Sequence, residues 1–498
     1  MTTPAEGMRF SLGYGTNGFA DHPLPVALDL LSEQGYTAVA LTLGFPHLDP
    51  FAEDCGQQVQ ELRRLLSERG MRSVIETGTR FLLDPRQKHR PALVDEVADS
   101  RVDFLRRAVD VAAALESECV SFFSGVLPAD TDPQTGWQRL TSRVGDLINH
   151  ARSRNVLLSI EPEPGMLVET VADALRLRTE LGDPEHLRIT VDIGHCVVVE
   201  PDGVRGALLR AGALLANVQL DDMRPEAHEH LPFGQGAVDV AEALATLDEL
   251  DFQGIAAVEL PRHSHDAPGL AARSMAALRD AWDASSGSRN TARWVQESAA
   301  AITSDAMLLP RIFATAGRSV GRTPAFPATD PTGVLCGTTD DVARARLIGR
   351  LGGHFRPDEL AATLTDLYNR GDSGERRGVL RGLGVLADSH PALPDVVVSA
   401  GLALTTDALR TNESALVASA VGPFAAQYLD QHSWRHAVLK LIFTGISLQA
   451  VADLRTRADD ELARMAEAFA AERRAAGRPV PDDAELLLQL PAGELKQN

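Results

Sequence analysis

The feature that most constrains the fold is a regular alternation of apolar and amphipathic segments through residues 9–284. Eight short apolar runs are each followed by a segment with apolar residues at helical spacing. The runs are continuously apolar, as is typical of strands buried on both faces of a parallel sheet. They occupy residues 9–14, 38–44, 73–77, 119–123, 156–160, 187–191, 215–220 and 255–260. The predicted helices occupy residues 25–34, 55–69, 95–115, 136–154, 171–181, 203–211, 238–250 and 268–284.

Eight strand–helix units in about 280 residues are the expected size of a (β/α)8, or TIM, barrel. We therefore predict an α/β domain over residues 1–284. An open, doubly wound sheet is the alternative, and residues 13–18 resemble the glycine-rich phosphate-binding turn that such a sheet carries. Neither a helix start nor an acidic residue at the end of the next strand accompanies that turn, so the barrel is favoured.

The alternation stops after a polar segment, residues 285–290, which we interpret as a linker. Residues 291–498 show only helical patterns and predict an all-α C-terminal domain. Helical patterns run through residues 294–320 with a break at Pro310, and a proline-rich connection occupies residues 322–331. Further helices are predicted at residues 342–351, 357–369, 373–386, 395–405, 414–428, 430–443 and 453–476.

Charge and cysteine content narrow the class of protein. The net charge of −21 repels phosphate backbones and anionic lipid, so we expect neither nucleic acid nor membrane as a partner. The four cysteines are far apart and do not form a disulfide framework. No secretory signal or apolar run of membrane-spanning length is visible, and a cytoplasmic location is the expectation.

Polar side chains stand at the ends of the last four predicted strands. Glu161 and Asp192 follow the fifth and sixth runs, Gln219 lies in the seventh, and Glu259 lies in the eighth. The active site of a (β/α)8 barrel lies at these strand ends. Three converging carboxylates repel each other, and a bound cation relieves the repulsion. Each residue could instead face solvent, but their recurrence on consecutive strands favours a metal site.

Three histidines accompany the carboxylates. His195 comes three residues after Asp192, and Gly194 between them allows the chain to turn. His228 and His230 occupy alternate positions in a loop that we predict to be extended, so both side chains point the same way and can share a metal. The alternative for this pair is a polar surface loop.

The order of these residues resembles the xylose isomerase-like barrel superfamily. That group contains sugar-phosphate isomerases and epimerases, ketose 3-epimerases, inosose dehydratases and endonuclease-IV-type enzymes. The resemblance covers residues 8–284 and rests on Glu161, Asp192-x-x-His195, the segment ending Leu220-Asp221, His230-x-x-x-Gly234-x-Gly236, and Glu259.

The resemblance implies a divalent metal cofactor. Epimerase-like members bind one ion through Glu, Asp, His and Glu on four successive late strands. Glu161, Asp192 and Glu259 match this pattern, whereas Gln219 stands at the His position. An amide oxygen favours Mn²⁺ or Mg²⁺, with Zn²⁺, iron and cobalt as alternatives, and the change could also weaken or abolish metal binding.

Endonuclease-IV-like members hold a further metal through an imidazole after the Asp and through an Asp-x-His pair. His195, His228 and His230 resemble that arrangement, with His228 in place of the Asp. The two early histidines of those enzymes have no match at Thr77 or at Phe123-Ser124.

The epimerase-like resemblance implies a metal-dependent isomerase or epimerase of a sugar, a sugar-like polyol or a keto acid. Glu161 and Glu259 would move protons through a metal-stabilised enediolate, His195 would bind a substrate oxygen, and Arg262 would orient a hydroxyl or acid group. Residues 80–90 carry five basic side chains and are either a site for an anionic substrate group or a solvated loop. A metal-dependent phosphodiesterase or hydrolase and a non-catalytic small-molecule-binding barrel are the alternatives.

The C-terminal half resembles the EboA-domain family. The resemblance covers residues 291–490 and rests on residues 436–445 (HAVLKLIFTG), residues 454–458 (LRTRA) and the helix ending AAGR at residue 478. That family is associated with clusters for natural-product handling, which implies a setting in secondary metabolism. The half shows no constellation of ligand residues, so we expect a scaffold or a binding site for a protein partner.

Overall fold

The structure is a computed structural model and describes residues 7–327, 329–390 and 392–489. It divides into two compact units, Met1–Ser286 and Gly287–Asn498, called here the barrel unit and the helical unit. The strands of the barrel unit are β1 (Ser11–Gly15), β2 (Ala38–Thr42), β3 (Arg72–Glu76), β4 (Val120–Phe123), β5 (Leu158–Glu161), β6 (Leu187–Asp192), β7 (Leu215–Leu220), β8 (Asp222–Arg224), β9 (Ala227–Leu231) and β10 (Ile255–Val258).

Eight of these strands form a closed parallel barrel in the order β1-β2-β3-β4-β5-β6-β7-β10, with β10 paired to β1. This order confirms the predicted barrel and rules out the open sheet. Strands β8 and β9 form a separate antiparallel hairpin between β7 and β10. Apolar side chains, most of them small, fill the lower barrel interior, among them Ala38, Ala40, Val74, Cys119, Ile255 and Ala257.

Nine α-helices accompany the described strands of the barrel unit. They are α1 (Leu24–Gln34), α2 (Cys55–Arg69), α3 (Asp99–Leu115), α4 (Pro133–Arg154), α5 (Val171–Glu180), α6 (Ile193–Val199), α7 (Gly203–Ala211), α8 (Val240–Glu249) and α9 (Ala267–Ala284). Helix α3 begins four residues later than predicted, because Asp95 instead closes a turn by accepting the backbone N–H of Ala92 at 2.7 Å.

The helical unit is all-α over its described residues, as predicted. Its helices are α10 (Ser286–Ser304), α11 (Leu309–Ser319), α12 (Thr339–Leu351), α13 (Pro357–Arg370), α14 (Ser373–Ser389), α15 (Asp395–Arg410), α16 (Ser414–Ser419), α17 (Pro423–Tyr428), α18 (Gln431–Thr444), α19 (Leu454–Arg457), α20 (Asp460–Ala475) and α21 (Asp482–Gln489). The break predicted at Pro310 lies just before it, since proline occupies the first turn of α11, where no backbone donor is needed.

The polar segment 285–290, predicted as a linker, is not an irregular connection. Helix α9 ends at Ala284, and α10 begins after the single turn residue Ser285. Thr291 is buried, and its hydroxyl donates to the carbonyl of Gly287 at 2.9 Å, as in a regular helix. The segment contains no proline, so nothing in it prevents the backbone from continuing as helix.

Two further expectations concern the environment of the chain. No helix within the three described ranges combines the length and apolar character needed to cross a membrane. Cys55, Cys119, Cys196 and Cys336 are all free thiols, in agreement with the absence of a disulfide framework.

Asp459 provides a test of how the helical unit is held together. Its carboxylate caps α20 by accepting the N–H of Leu462 at 3.0 Å, and it also binds Arg435 at 2.9 Å and Gln431 at 3.0 Å. We expect Asp459→Ala to lower the free energy of unfolding of this unit by about 1–2 kcal/mol at pH 7. Asp460→Ala, an exposed neighbour, is the matched control and should change it by less than about 0.5 kcal/mol.

The contribution of Asp459 should depend on pH. Hydrogen bonding to Arg435 lowers the pKa of this carboxyl to about 2 from an ordinary value of 3.8. A depressed folded pKa means that the stabilisation is complete above the unfolded pKa and is lost as pH falls through about 2. The free energy of unfolding is measured by denaturant titration and by hydrogen exchange of the α20 amides. The values for the variant and the wild type should converge at low pH. A difference that does not change with pH would contradict this account.

Candidate active site and metal centre

The carboxyl ends of the barrel strands open into one cavity of about 650 Å³. Most of the predicted site residues line it: Glu161, His195, Gln219, His228, His230, Glu259 and Arg262. Asp192 is buried directly beside His195, with Oδ2 at 3.7 Å from Nε2. The structure therefore brings all the predicted site residues to one end of the barrel.

Strand register explains why these residues meet. Asp192 on β6 is paired with Gln219 on β7, and Gln219 is paired in turn with Ala257 on β10. Glu259 follows two residues after Ala257 and so extends just beyond this level. Glu161 ends β5, the neighbour of β6 on the other side. Asp192 and Gln219 thus lie between the two glutamates in the strand order.

The segment after Asp192 is a helix rather than the turn that the sequence suggested. Asp192 is the N-cap of α6, and its Oδ1 accepts the backbone N–H groups of Gly194 at 2.7 Å and His195 at 3.0 Å. Capping satisfies donors that have no partner in the first helical turn. It also fixes His195 one turn away from the carboxylate, with the second oxygen of Asp192 left for other partners.

The β8–β9 hairpin carries the other two histidines at alternate positions of β9, as predicted for an extended segment. Asp222 fixes the chain that follows it by accepting the backbone N–H groups of Gly234, Gly236 and Val238 at 2.8–2.9 Å. A Cβ atom on Gly236 would lie 2.4 Å from Asp222 Oδ1, so glycine is required there. Asp222 therefore has a structural role.

The three imidazoles contact one another and are not equivalent. His195 Nδ1 lies 3.2 Å from the carbonyl of Pro162, which can only accept, so Nδ1 carries the proton. The Nε2 lone pair of His195 then accepts from His228 Nε2, 2.9 Å away. Burial lowers the pKa of His195 to about 4 and also lowers the pKa of His228. Both rings are therefore neutral at pH 7, the form that binds metals.

His230 differs because it is paired with a buried carboxylate. Its Nδ1 lies 2.6 Å from Asp221 Oδ2. Burial alone would lower the pKa of His230, but the hydrogen bond to Asp221 and the charge of Glu259 raise it to about 10. A Cβ atom on Gly194 would meet Asp221 Oδ1 at 2.2 Å, so Gly194 leaves room for this carboxylate.

The glutamates of the cavity are held by neutral donors. Ser121 donates to Glu161 at 3.2 Å, and the side-chain amide of Asn17 donates to Glu259 at 3.0 Å. Burial, followed by repulsion from neighbouring carboxylates, raises the pKa of Glu161 well above its ordinary range. Burial likewise raises the pKa of Glu259. Both are thus poised to exchange protons closer to neutral pH than a free glutamate.

Sequence reasoning missed Glu76, a further buried carboxyl of the cavity at the end of β3. The side-chain amide of Asn217 donates to it at 2.8 Å. Burial raises the pKa of Glu76 to about 8, and repulsion from Glu259 adds to this effect. Its position at a strand end is the same signal that identified the later carboxylates.

The donor set fits a divalent cation. Asp192 Oδ2, Gln219 Oε1 and Asp221 Oδ1 are buried acceptors with no hydrogen-bond partner among the described residues. Such atoms are costly to bury unless a cation or donor reaches them. Three clusters have ligand atoms within 4.8 Å of one another: Glu161, Asp192 and His195; Asp192, Asp221 and His230; and His195, His228 and His230. Glu259 lines the same cavity but belongs to none of these three clusters.

Gln219 offers a direct test of this donor set. Replacing Gln219 with His should tighten the binding of Zn²⁺ relative to Mg²⁺ by about tenfold or more, because imidazole is the better ligand for zinc. Titration calorimetry with each metal measures the ratio. Gln219→Ala is the control, since it removes the amide without adding an imidazole. A ratio equal in wild type and in Gln219→His would place residue 219 outside the metal shell.

The mouth of the cavity combines basic and aromatic side chains. Arg80 and Lys88 come from the loop after β3, and Arg262 follows β10 with a side chain 55% exposed and 3.8 Å from Glu229. Phe45 and Phe81 also line the mouth, with relative exposures of 94% and 51%. Exposed aromatic faces beside a polar pocket are common features of ligand sites.

Two known protein families match this chain, one in the barrel unit and one in the helical unit. Residues 28–281, about half of the chain, match the family described as xylose isomerase-like TIM barrel. Residues 336–488 match the family described as metabolite traffic protein EboA. A curated relative, the uncharacterized protein MJ1311 of Methanocaldococcus jannaschii, is 25% identical over 224 residues, which are 41% of this chain and 74% of the relative.

Solved structures similar to the chain include three epimerases or epimerase-like proteins. A D-tagatose 3-epimerase-like protein is 17% identical with a TM-score of 0.44, over 54% of this chain and 99% of its own. L-Ribulose 3-epimerase is 16% identical with a TM-score of 0.46, over 55% and 95%. The 3-keto-D-glucoside 4-epimerase YcjR from E. coli is 17% identical with a TM-score of 0.45, over 54% and 99%.

The family matches agree with the resemblance predicted from the strand-end motifs and from the C-terminal helices. The barrel match covers the unit that contains the whole candidate site, and the second match lies within the helical unit. The chain therefore belongs to the xylose isomerase-like TIM barrel family and carries an EboA domain after its barrel.

Proposed function

We propose that the barrel unit is a metal-dependent isomerase or epimerase of a sugar or sugar-like hydroxycarbonyl compound. The observation that carries this proposal is the pair Glu161 and Glu259, two carboxyls that line one cavity on either side of Asp192 and Gln219; Glu161 is buried and Glu259 is half-buried. Isomerisation and epimerisation beside a carbonyl require one group that removes a proton from carbon and one that returns it. Membership of the xylose isomerase-like family supports the same chemistry.

Glu161, Asp192 and Gln219 are the residues that would hold a divalent ion, Mn²⁺ or Mg²⁺ by preference for oxygen ligands. When bound, such an ion polarises a substrate carbonyl and stabilises the negative charge that follows proton removal.

The side chains of the chain supply the remaining steps. One of the two glutamates accepts the proton from the carbon beside the carbonyl, and the other donates a proton to the opposite face or to the adjacent carbon. Asn17 and Ser121 orient the two carboxyls by their hydrogen bonds. The Nε2 atom of His195, which carries a lone pair, accepts a hydrogen bond from a substrate hydroxyl once His228 moves aside. Arg262 at the rim orients a further hydroxyl or acid group.

Proton exchange tests the proposal whichever product forms. Metal-loaded protein is incubated with a panel of ketoses, aldoses and inososes in D₂O and followed by NMR. The expected result is deuterium at the carbon beside the carbonyl of at least one compound, lost on chelation of the metal. Binding of a panel member with no exchange would identify the barrel as a non-catalytic binder and overturn the proposal.

A metal-dependent phosphodiesterase or hydrolase is the second candidate. The observation that favours it is the cluster of His195, His228 and His230, whose ligand atoms lie within 4.8 Å of one another and could hold a second ion. Two ions can clamp both the attacking and the leaving oxygen of a phosphoryl group. Hydrolysis of small phosphodiesters, with no proton exchange into any sugar, would favour this candidate over the first.

The EboA domain supports a setting in natural-product metabolism, with the helical unit serving as a scaffold for a protein partner. Metabolite profiles of a strain that carries Glu259→Gln at the chromosomal locus test this setting. Accumulation of a secondary metabolite precursor is expected, whereas a change confined to central sugar metabolism would contradict it.

A further inference from the structure

The mouth of the cavity gathers positive charge in a strongly acidic protein. Lys88 makes no hydrogen bond or ion pair with any residue that the structure describes. Burial lowers its pKa, the charges of Arg80 and Arg262 lower it further, and the charge of Glu163 opposes them. Arg80 donates to the carbonyl of Pro261 at 3.1 Å, and all three side chains line the cavity. The carboxylate near Arg262, that of Glu229, is 3.8 Å away.

The loop that carries two of these cations is held in a fixed shape. The guanidinium of Arg101 is buried, with 2% exposure, and donates to the carbonyls of Pro91 at 2.9 Å and His89 at 3.2 Å. The backbone N–H of His89 donates to the carbonyl of Arg80 at 2.7 Å. This bond closes the loop and brings residues 80 and 88 side by side. The loop is thus a built part of the cavity rather than a solvated excursion.

Like charges in this arrangement repel, and the carboxylates that act on them, Glu163 on Lys88 and Glu259 on Arg80, do so without a hydrogen bond or ion pair. A bound anion relieves it, and guanidinium and ammonium groups together are the usual partners of phosphate and carboxylate. The floor of the same cavity is lined by glutamates. The mouth of the cavity therefore favours an anionic group of the substrate, whereas the floor does not.

We propose that Arg80 and Lys88 form an oxyanion subsite at the mouth of the cavity, so that the substrate carries a phosphate or a carboxylate at one end. The other end, a hydroxycarbonyl group at Glu161 and Glu259, rests on the proposed function. The oxyanion subsite itself rests only on the cations and on the loop that positions them.

Inorganic phosphate tests the subsite without any turnover. Calorimetric titration of the metal-free protein should show phosphate binding that weakens about 10–100-fold when Arg80 and Lys88 are both replaced by Met, the range expected for charge-assisted hydrogen bonds. Arg86→Met is the matched control, since this cation lies on the same loop but does not line the cavity, and it should bind phosphate as the wild type does. No phosphate binding by the wild type, or equal binding by all three proteins, overturns the proposal.

Proton exchange with matched sugars separates the two sources of the anion. D-Fructose, D-fructose 6-phosphate and D-fructuronate are compared in D₂O with wild type and Lys88→Met. A KM that rises about tenfold or more in the variant for the phosphorylated sugar alone identifies phosphate, and a rise for the uronate alone identifies carboxylate. Equal KM values for charged and neutral sugars overturn the proposal. If no sugar exchanges, the proposed function fails, and the phosphate titration still decides the subsite.

Discussion

Replacing Glu259 with Gln is expected to lower kcat by about 10²–10⁴-fold while leaving the barrel folded. Glutamine keeps the size of the side chain and can still meet Asn17, which donates to Glu259 at 3.0 Å, but it cannot accept or return a proton. The fold should tolerate the change, because Glu259 is one of several carboxyls of the cavity whose pKa values are raised first by burial and then by mutual repulsion. Removing one of them relieves that repulsion.

Deuterium exchange measures the loss of turnover, and denaturant unfolding measures stability in parallel. Glu161→Gln should behave in the same way, since it is the opposite member of the pair. Glu226→Gln, which changes an exposed carboxylate on the nearby hairpin, is the matched control and should retain wild-type turnover. If Glu259→Gln keeps turnover within a few-fold of wild type, Glu259 does not transfer the proton.

Replacing Asp192 with Asn should lower the affinity for Mn²⁺ by more than about 100-fold, beyond the range typical of residues that only support a ligand. Asp192 belongs to two of the three clusters of ligand atoms, and its Oδ2 has no hydrogen-bond partner among the described residues. The substitution is selective, because Asn caps a helix about as well as Asp, so Oδ1 can still hold the first turn of α6. What disappears is the negative charge.

Metal content after purification without chelator, together with Mn²⁺ titration, measures this effect. Circular dichroism and thermal unfolding of the metal-free variant should match those of the wild type. Asp130→Asn removes an exposed carboxylate from the same unit and should leave metal affinity unchanged. An Asp192→Asn variant that binds Mn²⁺ as tightly as the wild type would remove Asp192 from the metal shell.

The barrel could be predicted because each of its strands is buried on both faces and therefore reads as a continuous apolar run. Local side-chain bonding was harder to predict. The segment after Asp192 contains Gly194 and several β-branched residues and so has little helix propensity, yet the capping bonds of Asp192 start α6 there. In the segment 285–290, polarity suggested a linker, but polarity alone does not break a helix.

The site was predicted as far as the strand ends allowed. Glu76 carries the same strand-end signal as Glu161, but it stands on an early strand, apart from the consecutive late strands whose carboxylates reinforce one another. Asn17 gives no such signal, since only the closed barrel brings it to Glu259, which is 242 residues away in the chain. The two adjacent aspartates after β7 have different roles in the structure. Asp222 holds backbone, whereas Asp221 holds His230.

Because of the β8–β9 hairpin, the site has two parts that differ in how easily they can move apart. Glu161 and Asp192 belong to strands of the closed barrel, and they can separate only if the barrel itself opens. His228 and His230 lie on a two-stranded ribbon outside that barrel, and their imidazoles bind His195 and Asp221. Small units of this kind open at a lower free energy than the protein as a whole. The histidine half can therefore detach and re-form while the carboxylate half stays assembled, which gives bound groups a route of exchange that does not require unfolding.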